Sequence, residues 1–194
     1  MIIKCVRKMR KSIIHTEKLL KNGIPIELDE DTVESTNCYA YSLGIMYNGI
    51  RCLHYTPGYT ESNKYKGTGS QELMRKTEID LQNLKINFKR VPLEQIVELE
   101  RNEYLVKLFF YASTDDLPSG DFHFIRQDPK TKKWFHKVGW YNQPTLVKQN
   151  DSIGTEPNQL IIRCDSCYYI VYQPVCYYVI REKWIYKKSL TIRL

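Results

Sequence analysis

Among the 194 residues of this chain, six cysteines and four histidines are the side chains best suited to covalent chemistry. A cysteine attacks as its thiolate, and a free thiol with a pKa near ~8.5 is only a few per cent thiolate at pH 7. A helix N-terminus and a neighbouring imidazolium each lower that pKa. Cys38 fits the first device. The acidic stretch LDEDTVEST runs into Asn37-Cys38-Tyr39-Ala40-Tyr41-Ser42, where Ser35, Thr36 or Asn37 is positioned to cap a helix that begins at Cys38.

The second device needs a histidine brought over by the fold. His15 falls in a basic N-terminal segment and reads as a surface residue, while His54 opens a loop with no evident partner. His123 and His136 lie in DFHFIRQ and WFHKVGW, two expected strands joined by DPKTKK. If Gln127 pairs with Trp134, Ile125 faces His136 and His123 faces Val138. Any even-length loop keeps both imidazoles on one face, diagonal to each other. One then serves as base to Cys38 while the other accepts its Nδ1–H and fixes tautomer and ring orientation. The plainer reading is two hairpin histidines that only pack or hydrogen-bond.

The elements around these residues follow from pattern. Residues 3–22 space Ile3, Val6, Met9 and Ile13 among Lys and Arg, as expected of a basic amphipathic helix stopped by Asn22-Gly23 and Pro25. Residues 54–70 are rich in Gly, Pro, Ser and Thr and read as a long loop. A helix is expected from Ser70 to Leu84, with Leu73, Ile79, Leu81 and Leu84 on its buried face, and a short one from Pro92 at helix position N1. The run Tyr104–Ala112 is apolar enough for a central strand, and two or three further strands close the chain. Helices followed by a run of antiparallel strands define an α+β class, helices packed on one side of a sheet.

The motifs NCYAY, DFHFIRQDPKTKKWFHKVGW and their order carry a resemblance. The sequence is similar to the NlpC/P60 branch of papain-like cysteine hydrolases, which places Cys at a helix start, His at a strand start and a third polar residue, often His, on the next strand. The matching positions are Cys38, His123 and His136. More closely, it resembles a group of bacterial and large-DNA-virus proteins sharing N-C-Y-x-Y, then D-[FY]-H-[FW]-x-R-Q, then W-x-H-K-x-G. The resemblance spans residues 36–45 and 119–144. It implies a papain-like fold in one domain over 1–194, with 1–30 a basic helical extension. It further implies a Cys–His–His triad in which His123 is the base and His136 its orienter. Where the peptidase branch carries Asp-Cys-Ser-Gly, this chain has Asn37-Cys38-Tyr39-Ala40, so peptidoglycan cleavage is not inherited.

Neighbouring residues have weaker claims. The backbone N–H of Cys38 is the natural oxyanion donor at a helix start, and Asn37 is either a second donor or the helix cap. Arg126 and Asp128 flank the hairpin turn and either orient substrate or make a turn contact. Asp121 stands two residues before His123, and Trp134 and Trp140 are candidates for a cleft wall or for strand core.

Bulk properties bound the rest. With 42% hydrophobic and 26% charged residues, the chain has an ordinary globular composition. No apolar run reaches the ~20 residues of a membrane span. The start lacks the apolar core and cleavage site of a secretory signal, so an intracellular location is expected, host cytoplasm or virion if the chain is viral. The net charge of +7 concentrates at the ends: residues 1–22 carry +6 and residues 181–194 carry +4, leaving the middle near −3. Aromatic-interleaved RNA motifs are absent, and a nucleic acid is not expected as specific ligand. Cys164, Cys167 and Cys176 could supply three zinc ligands, but no fourth has suitable spacing and the segment reads as strands with core thiols. No cofactor is implied.

Two functions follow. One is a thiol hydrolase of peptidase or amidase type acting on a peptide, isopeptide or other amide, with deamidation and acyl transfer using the same parts. The other is a catalytically silent papain-like scaffold, a structural virion or host-interaction protein whose basic termini bind a protein partner.

Overall fold

The computed structural model describes residues 12–13, 19–46, 55–61, 64–112, 120–149, 152–163 and 169–181. Its centre is a seven-stranded antiparallel sheet in the order β12-β13-β6-β7-β8-β9, with β5 beside β13 as well. These strands are β5 (Asn87–Val91), β6 (Glu103–Tyr111), β7 (Asp121–Gln127), β8 (Trp134–His136), β9 (Thr145–Leu146), β12 (Leu160–Arg163) and β13 (Tyr169–Arg181). The long β13 pairs with β6 along one side. On its other side it pairs with β12 through Tyr169–Tyr172 and with β5 through Tyr177–Arg181. Two-stranded pairs flank this sheet: β1 (Ser12–Ile13) with β4 (Ile45–Met46), β2 (Leu20–Lys21) with β3 (Ile24–Pro25), and β10 (Lys148–Gln149) with β11 (Ser152–Ile153).

Strand alternation divides the core between the two faces of the sheet. One face presents Tyr104, Val106, Leu108, Phe124, Tyr178 and Ile180 to α2 (Cys38–Ser42) and α3 (Ser70–Asn83). The other collects Leu105, Phe109, Ile125, Trp134, Tyr172 and Val179. The fold is therefore mixed α+β, with few helices and a large antiparallel sheet. Among the described residues no helix is long and apolar enough to cross a membrane.

Two expectations are corrected. Of the basic helix expected over residues 3–22 and the helical extension expected over 1–30, residues 1–11 and 14–18 lie outside the described residues, and what is described up to Pro25 is strand and turn. Ser12–Ile13 pairs with Ile45–Met46, and Leu20–Lys21 folds back on Ile24–Pro25. Asn22 (φ 54°) and Gly23 (φ 72°) make the two-residue turn, both in the left-handed region that Asn-Gly tolerates. Among the described residues the first helix is α1 (Glu30–Ser35), capped by the Asp29 carboxylate accepting from Thr32 N–H at 2.9 Å.

The second correction is at Pro92, where a single turn (Gln95 N–H to Pro92 C=O, 3.3 Å) replaces the expected helix. Val97 and Leu99 then both pack on the sheet, a two-residue alternation that suits extended chain. The expected strand WFHKVGW is strand only over Trp134–His136, and the expected facing of His123 with Val138 does not form, whereas other expectations fare better. Helix α3 runs Ser70–Asn83, the central strand runs Glu103–Tyr111, and DFHFIRQ is β7 from end to end.

Candidate active site

The helix that begins at Cys38 is only five residues long, and every residue of it is buried. Its shape comes from side-chain ties rather than propensity. Asn37 accepts from Ala40 N–H through Oδ1 (3.0 Å) and donates from Nδ2 to the Tyr55 carbonyl (2.6 Å). Asn37 is thus the helix cap, and the same side chain fastens the loop at 55–61 to the helix start. Tyr39 donates to Asp80 Oδ2 on α3 at 2.8 Å. Asp80 also accepts from Gly58 N–H (2.6 Å), Thr60 N–H (3.0 Å) and the Thr60 hydroxyl. A single buried carboxylate therefore locks α2, α3 and the loop together, and four donors match an acceptor-only group.

Cys38 and Ser42, one helical turn apart, dock α2 onto β7. The Phe124 N–H donates to the Cys38 sulfur, and the Ser42 hydroxyl donates to the Phe124 carbonyl at 2.9 Å. Both backbone groups of one strand residue are thus satisfied by the helix. This happens because β8 pairs with β7 only at Arg126–Phe135 and Gln127–Trp134, leaving Phe124 without a strand neighbour on that side. The gap between β7 and β8 is where the thiol enters the sheet.

The expected pairing of Gln127 with Trp134 is the observed one. His123 and His136 lie on the face shared with Ile125 and Trp134, their ring centroids 5.1 Å apart and their planes at 82°. His123 Nε2 stands 3.0 Å from His136 Nδ1. This reverses the expected ring orientation: His123 uses Nε2, not Nδ1, toward its partner.

Cys38 and His123 line one cleft of about 420 Å³. His136 is not part of its wall and stands behind His123. The sulfur is held by backbone N–H groups of Phe124 and Tyr39. Asp121, Trp140, Tyr172 and Arg163 also line the cleft, as does Asn37. Asp121 accepts from the Tyr172 hydroxyl at 2.7 Å and from Phe122 N–H at 2.8 Å. Of the two tryptophans considered for the cleft wall, Trp140 lines the cleft and Trp134 is core.

Arg126 and Asp128 are placed elsewhere. Arg126 is fully buried with its guanidinium 3.4 Å over the Tyr104 ring, on the helix side of β7. Asp128 shapes the hairpin turn, accepting from Lys130 N–H, Thr131 N–H and the Thr131 hydroxyl. Neither lines the cleft. His15, His54, Cys164 and Cys167 lie outside the described residues. Cys176 is a buried free thiol on β13, and among the described residues no group of three His, Cys, Asp or Glu is arranged to hold a metal.

Burial dominates the electrostatics. It pushes the Cys38 thiol up to about 12, against the pull of the Phe124 and Tyr39 N–H groups and of the Lys137 ammonium; the Asp121 carboxylate pushes the same way as burial. Burial, then the charge of His136, holds His123 well below 6.5, and burial lowers His136 to about 4. At neutral pH the Cys38 thiol and both imidazoles are therefore neutral. Lys137, fully buried, donates to the carbonyls of Gly139 (3.0 Å) and Trp140 (2.8 Å). Burial lowers it to about 8 and the charge of Cys38 opposes that shift, so it remains largely cationic at pH 7.

No protein-family model, curated protein or solved structure matches the chain.

Proposed function

We propose that the chain is a cysteine hydrolase of peptidase or amidase type, with Cys38 as nucleophile, His123 as base and His136 as the group that orients His123. One observation carries this reading: Cys38 and His123 share a cleft wall while His136 Nδ1 stands 3.0 Å behind His123 Nε2. The relevant tautomer has His123 Nε2–H donating to His136 Nδ1, which leaves a lone pair on His123 Nδ1. As the Cys38 sulfur attacks a substrate carbonyl, the thiol proton passes to that lone pair. The new C–S bond places negative charge on the carbonyl oxygen, and the backbone N–H of Cys38 stabilises it. The His123 imidazolium then protonates the departing amine, and water, deprotonated by His123, cleaves the thioester.

Because the resting pair is neutral, proton transfer accompanies attack rather than preceding it. The same burial favours a second reading, a silent papain-like scaffold that acts as a virion or host-interaction protein through its basic ends. Trapping separates the two. Incubation with a panel of activated acyl esters and peptide amides, followed by mass analysis under denaturing acid, is expected to give a stoichiometric thioester at Cys38, lost in Cys38→Ala and His123→Ala. Acylation spread over several thiols and unchanged in His123→Ala supports the scaffold.

A further inference from the structure

Asp121 carries a charge that works against the nucleophile beside it. The residue is exposed at the start of β7, lines the same cleft as Cys38, and raises the energy of a thiolate there. It forms no ion pair among the described residues; its hydrogen bonds come from Tyr172 and its own neighbour Phe122. The Tyr172 hydroxyl fixes one carboxylate oxygen in place, and Phe122, Trp140 and Tyr172 add aromatic surface to the same cleft. A fixed carboxylate bordered by aromatic rings is the arrangement that holds an ammonium or guanidinium group. Arg163, the other exposed charge lining the cleft, makes no ion pair with Asp121 and is not among the charges that act on Cys38.

We propose that the cleft selects acyl substrates bearing a cationic group close to the scissile carbonyl, with Asp121 as the residue that reads the charge. A bound cation neutralises Asp121 and removes its opposition to charge on the Cys38 sulfur, so recognition and activation of the nucleophile are coupled. A neutral or anionic substrate leaves that opposition in place. This inference rests on the hydrolase reading but deepens it to a substrate class.

The test uses the full chain and three methanethiosulfonates: trimethylammonioethyl and sulfonatoethyl, of similar size and opposite charge, and the smaller neutral methyl. Each converts Cys38 to a mixed disulfide with release of methanesulfinate, so hydrolytic turnover is not needed. The chain's net charge of +7 by itself favours the anionic reagent. A local carboxylate instead predicts that, with each rate divided by that of a small free thiol to remove the thiolate's own preference for a cation, the cationic reagent modifies Cys38 roughly tenfold faster than the anionic one at low salt, a ratio that shrinks as salt is added. Asp121→Asn is expected to bring the ratio to about one or below, while Asp121→Glu retains it. An unchanged urea midpoint in Asp121→Asn guards against a folding defect there. A ratio unaffected by Asp121→Asn, or an anion preference in the wild type, overturns the proposal. Charge preference without acyl transfer would retain the cation-selective cleft and remove the hydrolase; acyl transfer without charge preference would do the reverse.

Discussion

His123 Nε2 and His136 Nδ1 stand 3.0 Å apart, and His123 shares with Cys38 the wall of one cleft. In a hydrolase the value of this pair lies in tautomer control. His136→Phe removes the acceptor and leaves a buried N–H without a partner, so His123 loses its reason to present a lone pair at Nδ1. Acyl transfer to Cys38 is expected to fall about 10²-fold or more, whereas His136→Asn, which keeps an acceptor, is expected to lose less. Single-turnover acylation rates of the two variants check this.

Asp80 accepts from four donors and faces none of them with a hydrogen of its own. Asp80→Asn places an NH₂ group where an acceptor is needed, orphaning at least one buried donor. A loss of about 2–3 kcal/mol is expected, measured as a lower urea midpoint with unchanged slope. Ser42→Ala is expected to cost about 1–2 kcal/mol, since it strands the Phe124 carbonyl in the gap between β7 and β8.

Acid should destabilise the fold through its two buried imidazoles. His136 falls to about 4 and His123 lies well below 6.5 in the folded protein, so below pH 6.5 the unfolded chain binds protons that the native state refuses. Stability contributed by neutral histidine is complete above pH 6.5 and is lost as pH falls toward 4. For His136 the loss is roughly 3 kcal/mol over that window. Urea midpoints at pH 7 and pH 4.5 report it, and the drop should be smaller in His136→Phe.

Lys137 is expected to matter beyond its buried stem. Its ammonium ties down the Gly139 and Trp140 carbonyls and is the cation that acts on the Cys38 thiolate. Lys137→Met removes both effects. The pH at which Cys38 becomes alkylated by iodoacetamide should move upward, with the rate at pH 8 reduced several-fold. An unchanged pH profile would confine Lys137 to a packing role.

Much of the site was legible because it is built from local rules. Asn37 before Cys38 is a cap signal, and a hairpin that pairs Gln127 with Trp134 puts His123 and His136 on one face whatever the rest of the fold does. What lay beyond reach depends on distant contacts. Nothing near Tyr39 points to Asp80, 41 residues away, and the docking of Ser42 on Phe124 spans 82. The ring orientation of His123 follows from where its partner stands, which parity alone leaves open. At the N-terminus the apolar spacing of residues 3–22 outweighed a stronger local signal, the Asn22-Gly23 turn that folds Leu20–Lys21 back on Ile24–Pro25. Arg126, which its place beside the hairpin turn assigns to substrate or to a turn contact, is instead sealed against Tyr104.

The most direct test of Cys38–His123 chemistry is the pH dependence of Cys38 acylation by an activated ester between pH 6 and 9. Burial pushes the thiol up to about 12 and holds His123 well below 6.5, so a neutral imidazole acting as base gives a rate nearly independent of pH across this range. In His123→Ala the rate at pH 7 is expected to drop by about 10²-fold or more and to climb close to tenfold per pH unit, as an unassisted buried thiol must. A wild-type rate that already climbs tenfold per unit, and that His123→Ala leaves unchanged, would contradict the assignment.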